Sequence, residues 1–216
     1  MTRLIAFGCS YTQGQGLVDT LDSNNTRSLL LNRLGKEIVV IGSNTGCPSK
    51  FAWPQLISNE LNLECINLSV PGGSNKLITG YVSDFEFKAG DICAILWTHH
   101  DRWTIFRKDE YSLTILPTGI SEHSKNYYRY MYHEYDHSLM NTMMFRYINL
   151  HLEKLGIKTY NFSVEYKYTP TEVKEFMLET PSIKELRPLY ACADGAHLNE
   201  QGHHVLAHSM LEYFKE

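Results

Sequence analysis

Four short apolar runs punctuate the chain: Leu4–Phe7, Cys65–Leu68, Asp91–Trp97 and Ile157–Phe162. Gly8 closes the first, Pro71-Gly72-Gly73 follows the second, and Ala89-Gly90 precedes the third. Apolar runs of this length bounded by turn residues read as buried strands. Between them the apolar spacing lengthens to three and four residues. Phe51, Trp53, Leu56, Ile57 and Leu61 predict a helix over Ser49–Leu61 with Ser49 as its N-cap, and Leu77, Ile78 and Tyr81 predict another capped by Ser74. Met140, Met143, Met144, Tyr147, Ile148 and Leu155 share one face of a longer helix that Gly156 ends, and Leu206, Met210 and Tyr213 mark a last helix over Glu200–Phe214. Strands alternating with helices imply right-handed βαβ units, hence an α/β fold with a parallel central sheet covered on both faces.

Two stretches break this rhythm and read as insertions into a single domain spanning 1–216. Residues 17–48 are polar and loop-like around a short apolar run, Ile38–Ile41. Residues 100–138 are aromatic, with Trp103, Phe106, Tyr127, Tyr128, Tyr130, Tyr132 and Tyr135. Rings with polar tips suit an acyl pocket, a sugar-stacking platform or a subunit interface alike.

In open α/β sheets ligands sit beyond the carboxyl ends of the strands, so chemistry is sought there. After the first run comes Gly8-Cys9-Ser10-Tyr11-Thr12-Gln13-Gly14, which presents a serine hydroxyl at the start of a helix, where partial positive charge favours an oxyanion. After the second comes Asn67-Leu68-Ser69-Val70-Pro71-Gly72-Gly73, whose glycine amides approach a ligand without side-chain obstruction. Near the C-terminus, Asp194-Gly195-Ala196-His197 places a carboxylate and an imidazole on one tight turn. A carboxylate that fixes the imidazole tautomer, with the other ring nitrogen facing Ser10, is the logic of acyl transfer.

These blocks resemble those of the SGNH (GDSL-like) hydrolases. Gly8 to Thr12 is similar to the family's first block, with Cys9 where an aspartate is usual. Asn67 to Gly72 is similar to the second, and Asp194 to His197 matches the D-x-x-H of the last. The resemblance implies a flavodoxin-like three-layer α/β/α fold and a metal-independent serine ester hydrolase without cofactor. Ser10, His197 and Asp194 would be its catalytic residues, and the amides of Ser10 and Gly72 its oxyanion donors. The family's third block normally carries an asparagine donor after the third strand. Here Trp97-Thr98-His99-His100 stands in its place, so His99 is the expected substitute. Tyr11, Gly73, Asn75 and Trp97, neighbours of these blocks, are read as lining the substrate site, and a small acyl group on a carbohydrate is the expected substrate.

Composition narrows the alternatives. The 216 residues are 43% hydrophobic and 20% charged, as in an ordinary globular chain, and no run approaches the roughly 18–20 apolar residues of a membrane span. A formal charge of −4 argues against nucleic-acid binding. The five cysteines are widely spaced, without a C-x-x-C pair, and the N-terminus lacks signal-peptide character, so reduced thiols in a cytoplasm are expected. His133-Glu134-Tyr135-Asp136-His137 is a literal H-E-x-x-H and opens a zinc-hydrolase alternative. The altered third block opens another, a catalytically weak or inactive module that binds a glycan or a protein.

Overall fold

The computed structural model describes residues 2–20, 27–31, 36–40, 48–106, 113–117, 119, 121–166, 169 and 171–215. Its elements in chain order are β1 (Arg3–Phe7), α1 (Ser10–Gln13), β2 (Arg27–Leu31), β3 (Lys36–Val40), α2 (Trp53–Glu60), β4 (Glu64–Asn67), α3 (Asn75–Asp84), β5 (Ile92–Trp97), β6 (Trp103–Ile105) and β7 (Leu113–Ile115). They continue with α4 (Glu122–Tyr130), α5 (Glu134–Lys154), β8 (Lys158–Ser163), α6 (Thr171–Lys174), α7 (Ile183–Tyr190) and α8 (Glu200–Phe214).

The four apolar runs form one parallel sheet in the order β4-β1-β5-β8. Alternation along the strands builds two cores. Leu4 and Ala6 of β1, Ala94 and Leu96 of β5 and Phe162 of β8 face Trp53 and Ile57 of α2 and Leu206 and Met210 of α8. Ile5, Phe7, Cys93, Ile95 and Trp97 face Ile78 and Val82 of α3 and Phe145 and Ile148 of α5. Helices thus cover both faces, giving the three-layer α/β/α arrangement expected. Strand order reverses at β1/β5, which opens a crevice at the carboxyl ends of these two strands. At the opposite end Arg3 reaches Asp91 with two hydrogen bonds, its Nε at 2.8 Å from Oδ1, and pins β1 to the start of β5.

Two helix expectations need correction. Ser49 does not cap α2: the N-cap is Ala52, and Pro54 occupies the first turn, where a missing N–H is harmless. The Ser49 hydroxyl instead donates to Asp19 (2.6 Å) and accepts the Phe51 N–H (3.0 Å), shaping the turn before the helix. Along α5, Met143, Tyr147 and Leu155 are exposed, and the buried stripe is His137, Asn141, Met144, Phe145, Ile148 and Leu152. Hydropathy misplaces this face because its first two turns carry polar groups that bind the loop after β5. Ser74 does cap α3, accepting the Leu77 N–H, and α5 ends at Leu155-Gly156 as expected.

The first insertion contains an antiparallel pair, β2 with β3, where loop was expected, and one of the five cysteines, Cys47, lies outside the described residues. The second contains β6 paired with β7, α4 and the first turn of α5. Its aromatic rings are largely spent on one another. Tyr127, Tyr132 and Trp103 pack edge-on or tilted against His137, Tyr128 lies between Tyr127 and Tyr132, and Lys76 of α3 sits over the Trp103 ring.

His203 of α8 is fully buried, and its Nδ1 accepts the Trp53 N–H at 3.3 Å. Burial, with a smaller contribution from the charge of His197, pushes the ring down to about 3, so it is neutral in the folded protein. The unfolded ring ionises near its ordinary value and binds a proton the native state refuses, so stability falls as pH drops below about 6.5, by up to about 1.4 kcal/mol per pH unit for this one group. His99 and His137 are also held low by burial and act in the same direction. Denaturant titrations between pH 7 and 5 on wild type and His203→Asn isolate the contribution, because the amide oxygen still accepts from Trp53 but does not titrate. The difference in stability should shrink steadily as pH falls, and a constant difference would disprove the assignment.

Candidate active site

The serine comes from the turn after β1. The chain leaves the sheet at Gly8, where a side chain has no room: a Cβ there would lie 2.0 Å from Thr12 Oγ1 and 3.2 Å from Leu96 O. This close approach lets Cys9, in extended conformation, start α1 at once, so Ser10 is its first helical residue. Ser10 is nearly buried.

The histidine and aspartate come from the turn between α7 and α8. A bridge between Ala191 and Leu198, with Cys192 N–H bonded to His197 O (2.9 Å), closes this turn. Asp194 Oδ1 accepts the amides of Ala196 (2.8 Å) and His197 (3.0 Å), while its Oδ2 lies 2.6 Å from His197 Nδ1. His197 Nε2 is 3.0 Å from Ser10 Oγ, across 187 positions of sequence. The structure therefore brings Ser10, His197 and Asp194 into one hydrogen-bonded chain. Burial raises the Asp194 carboxyl, but hydrogen bonds from Cys192, His197 and the two amides outweigh it and hold it well below the usual carboxylate range. A carboxylate accepting from Nδ1–H leaves Nε2 as the lone-pair atom facing the serine.

Tyr11 serves this turn: its hydroxyl donates to Ala196 O at 3.0 Å and its ring lies 5.4 Å from the His197 ring. It is nearly buried, so it braces the histidine rather than presenting a broad surface. Gly72 has φ +69°, and a Cβ there would meet nothing within 4 Å, so this turn borders open space on the Cβ side. That turn is tied to the serine loop by Val70 N–H to Gly8 O at 3.0 Å. Gly73 differs from expectation, since it is buried and its N–H goes to Val70 O at 2.9 Å.

Asn75 and Trp97, expected to line the substrate site, are core residues. Each is about 1% exposed. The Asn75 amide grips both sides of the Thr98 peptide, accepting its N–H (2.8 Å) and donating to its carbonyl (3.1 Å), and also donates to Asn141 (2.7 Å). Trp97 packs on Phe145 and donates to Asn161 at 2.9 Å. Their burial follows from the inward register of β5 and from the need to satisfy the peptide groups where that strand ends.

His99 is engaged elsewhere. Its Nδ1 lies 3.3 Å from Glu165 Oε2, and burial, followed by the nearby Arg102 charge, lowers its pKa despite the carboxylate. An imidazole that keeps its one proton on Nδ1, the side facing Glu165, has only a lone pair on Nε2, which is the wrong polarity for an oxyanion. His99→Ala is therefore expected to change kcat by no more than a few fold on any ester the protein cleaves. An oxyanion donor would instead lose about 10²–10³-fold, a difference that steady-state kinetics reads directly.

The H-E-x-x-H alternative is overturned by local geometry. His133 is the extended residue before α5, exposed to solvent, whereas His137 lies on the buried face. Both nitrogens of His137 are taken, Nε2 by Tyr127 OH (2.8 Å) and Nδ1 by His100 O (3.2 Å), which leaves no lone pair for zinc. Among the described residues the one grouping compact enough to hold a cation is Cys192, Asp194 and His197, whose ligand atoms lie within 4.8 Å of one another.

Cys192 is a neighbour that motif reading passes over. Its thiol donates to Asp194 Oδ1 at 2.9 Å, and burial together with the carboxylate pushes it up, so it stays protonated near neutral pH. Asn141, the partner of Asn75, is a second, because it falls in no recognisable block. Asn141 also donates to the carbonyls of His100 (3.1 Å) and His137 (2.7 Å), anchoring the loop after β5 to α5.

No family model matches the sequence, and no curated protein matches it either. Solved structures do. An acetyl xylan esterase from the rumen bacterium Butyrivibrio proteoclasticus superimposes with TM-score 0.57 at 10% identity, over 99% of this chain and 63% of its own. A carbohydrate esterase whose active site is described as having divergent catalytic and non-catalytic binding functions gives 0.53 at 11% identity, over 99% of this chain and 68% of its own. A lipolytic protein of the G-D-S-L family from Desulfitobacterium hafniense gives 0.48 at 9% identity, over 98% of this chain and 99% of its own. The chain thus spans about two thirds of each carbohydrate esterase. At these identities the likeness is one of fold, and the mixed α/β architecture with its central parallel sheet matches.

Proposed function

We propose that this chain, with the architecture of the SGNH hydrolases, is a serine hydrolase of carboxylic esters. The observation that carries the reading is the continuous contact from Ser10 Oγ to His197 Nε2 (3.0 Å) and from His197 Nδ1 to Asp194 (2.6 Å), supplied by two loops at the carboxyl end of the sheet. Ser10 attacks the acyl carbonyl while His197 takes its proton, and Asp194 stabilises the imidazolium so formed. The amides of Ser10 and Gly72 receive the oxyanion. His197 then protonates the departing alcohol, and water, deprotonated by the same ring, releases the acid. Cys192 does not compete as nucleophile, because the thiolate rather than the thiol is reactive. The substrate class we favour is a small acyl ester of a carbohydrate, in keeping with the two carbohydrate esterases that share the fold.

A second reading, a binding module that keeps the fold without turnover, draws on one observation: His99 Nδ1 faces Glu165 at 3.3 Å. A fluorophosphonate probe separates the two. The hydrolase reading expects stoichiometric phosphonylation at Ser10, located by peptide mass spectrometry. An unlabelled Ser10 in folded protein favours the module.

A further inference from the structure

The side of α5 turned away from the sheet carries a row of large apolar side chains, with the exposed Arg146 beside its middle. Tyr135, Leu139, Met143 and Tyr147 recur every fourth residue, Leu150 continues the row, and Met131 precedes it at the end of α4. Their exposures run from 45% for Leu139 to 72% for Tyr135 and Met131. The buried stripe of Asn141, Phe145, Ile148 and Leu152 lies on the other side of the same helix, so α5 presents large apolar side chains in two opposite directions. A helix packed on a sheet needs only one such stripe, and the outer side is normally polar. Contiguous exposed apolar surface of this extent marks an interaction site.

We propose that this face joins two copies of the chain, α5 against α5 in antiparallel orientation about a two-fold axis midway between Met143 and Tyr147. Two features of the helix argue for a second copy over a different protein. The first is its charge order. Asp136 in the first turn and Lys154 in the last are 18 residues, or about five turns, apart, and so flank the stripe on the same side. Antiparallel pairing brings Asp136 of one protomer toward Lys154 of the other at both ends, with the helix dipoles opposed. A parallel pair would set like charges together. The second is area. The six side chains expose on the order of 700 Å² together, close to the ~800 Å² per partner of a standard-size interface, and a two-fold contact uses the same patch twice.

The proposal is independent of the esterase reading and is tested by association alone. Sedimentation velocity of the full chain from low to high micromolar concentration should give twice the mass of one chain. Met143→Glu buries a carboxylate against the apolar row of the other copy beside the axis, once from each protomer, and should raise the dissociation constant at least about tenfold, with unchanged circular dichroism. Asp136→Lys and Lys154→Asp should each weaken the dimer, and the two together should restore it, which reads orientation. A wild type that stays monomeric throughout overturns the proposal and leaves the face to another protein. A Met143→Glu variant that dimerises like wild type overturns it too, and failure of the paired swap to rescue overturns the antiparallel arrangement.

Discussion

Ser10→Ala is expected to lower kcat on p-nitrophenyl acetate by about 10⁴–10⁶-fold, to the level that binding and oxyanion contacts alone sustain. KM should change little, since the hydroxyl contributes to the transition state and not to ground-state binding. The variant should fold normally. Among the described residues the side-chain partner of Ser10 Oγ is His197 Nε2, so alanine removes that hydrogen bond, a loss of about 1 kcal/mol. Cys192 does not rescue activity, because its thiol is held protonated beside Asp194. Steady-state kinetics on purified wild type and variant decides the matter, with fluorophosphonate labelling in parallel. Equal turnover by the two proteins, or labelling of the variant at another residue, would end the serine-hydrolase reading.

Much of this architecture is legible in sequence because local and long-range signals agree. Leu4–Phe7 is apolar at every position since both faces of β1 are covered, and such a run between turn residues has few other fates. Gly8 and Ser10 are readable together because the sharp exit from a parallel strand demands a glycine. The D-x-x-H turn is readable because Asp194 and His197 stand only three positions apart. What escapes is whatever depends on who stands opposite. Hydropathy assigns Met143 and Tyr147 to the core of α5 and leaves out Asn141, yet Asn141 is buried where its amide reaches the His100 carbonyl after β5 and the His137 carbonyl one turn back. Likewise nothing in Trp97-Thr98-His99 tells that Glu165, on a different strand's exit, will take the imidazole. Asn75 looks like a polar residue beside a glycine turn, a natural ligand contact. Its amide is instead matched atom for atom to the Thr98 peptide, a pairing set by the relative placement of α3 and β5.

Asp194→Asn should reduce kcat by about 10⁴-fold while leaving the turn intact. The two substituent atoms of Asp194 have different duties. Oδ1 receives two backbone amides and the Cys192 thiol, and Oδ2 faces His197 Nδ1. In asparagine the remaining oxygen keeps the Oδ1 position, where amides require an acceptor, so the new NH₂ points at the imidazole. Nδ1 must then accept, which moves the ring proton to Nε2, the atom opposite Ser10 Oγ. A histidine protonated at Nε2 cannot take the serine proton, so the loss is one of tautomer and not of position. The imidazolium formed during attack also loses its counter-charge. Two measurements separate this from a merely structural effect. The rate of Asp194→Asn should climb with pH well beyond the wild-type plateau, because hydroxide can strip the wrongly placed proton. Asp194→Glu, which keeps the charge but overreaches the turn, should lower thermal stability as well as rate. A pH profile for the asparagine variant that merely parallels wild type would show that Asp194 shapes the turn without governing the histidine.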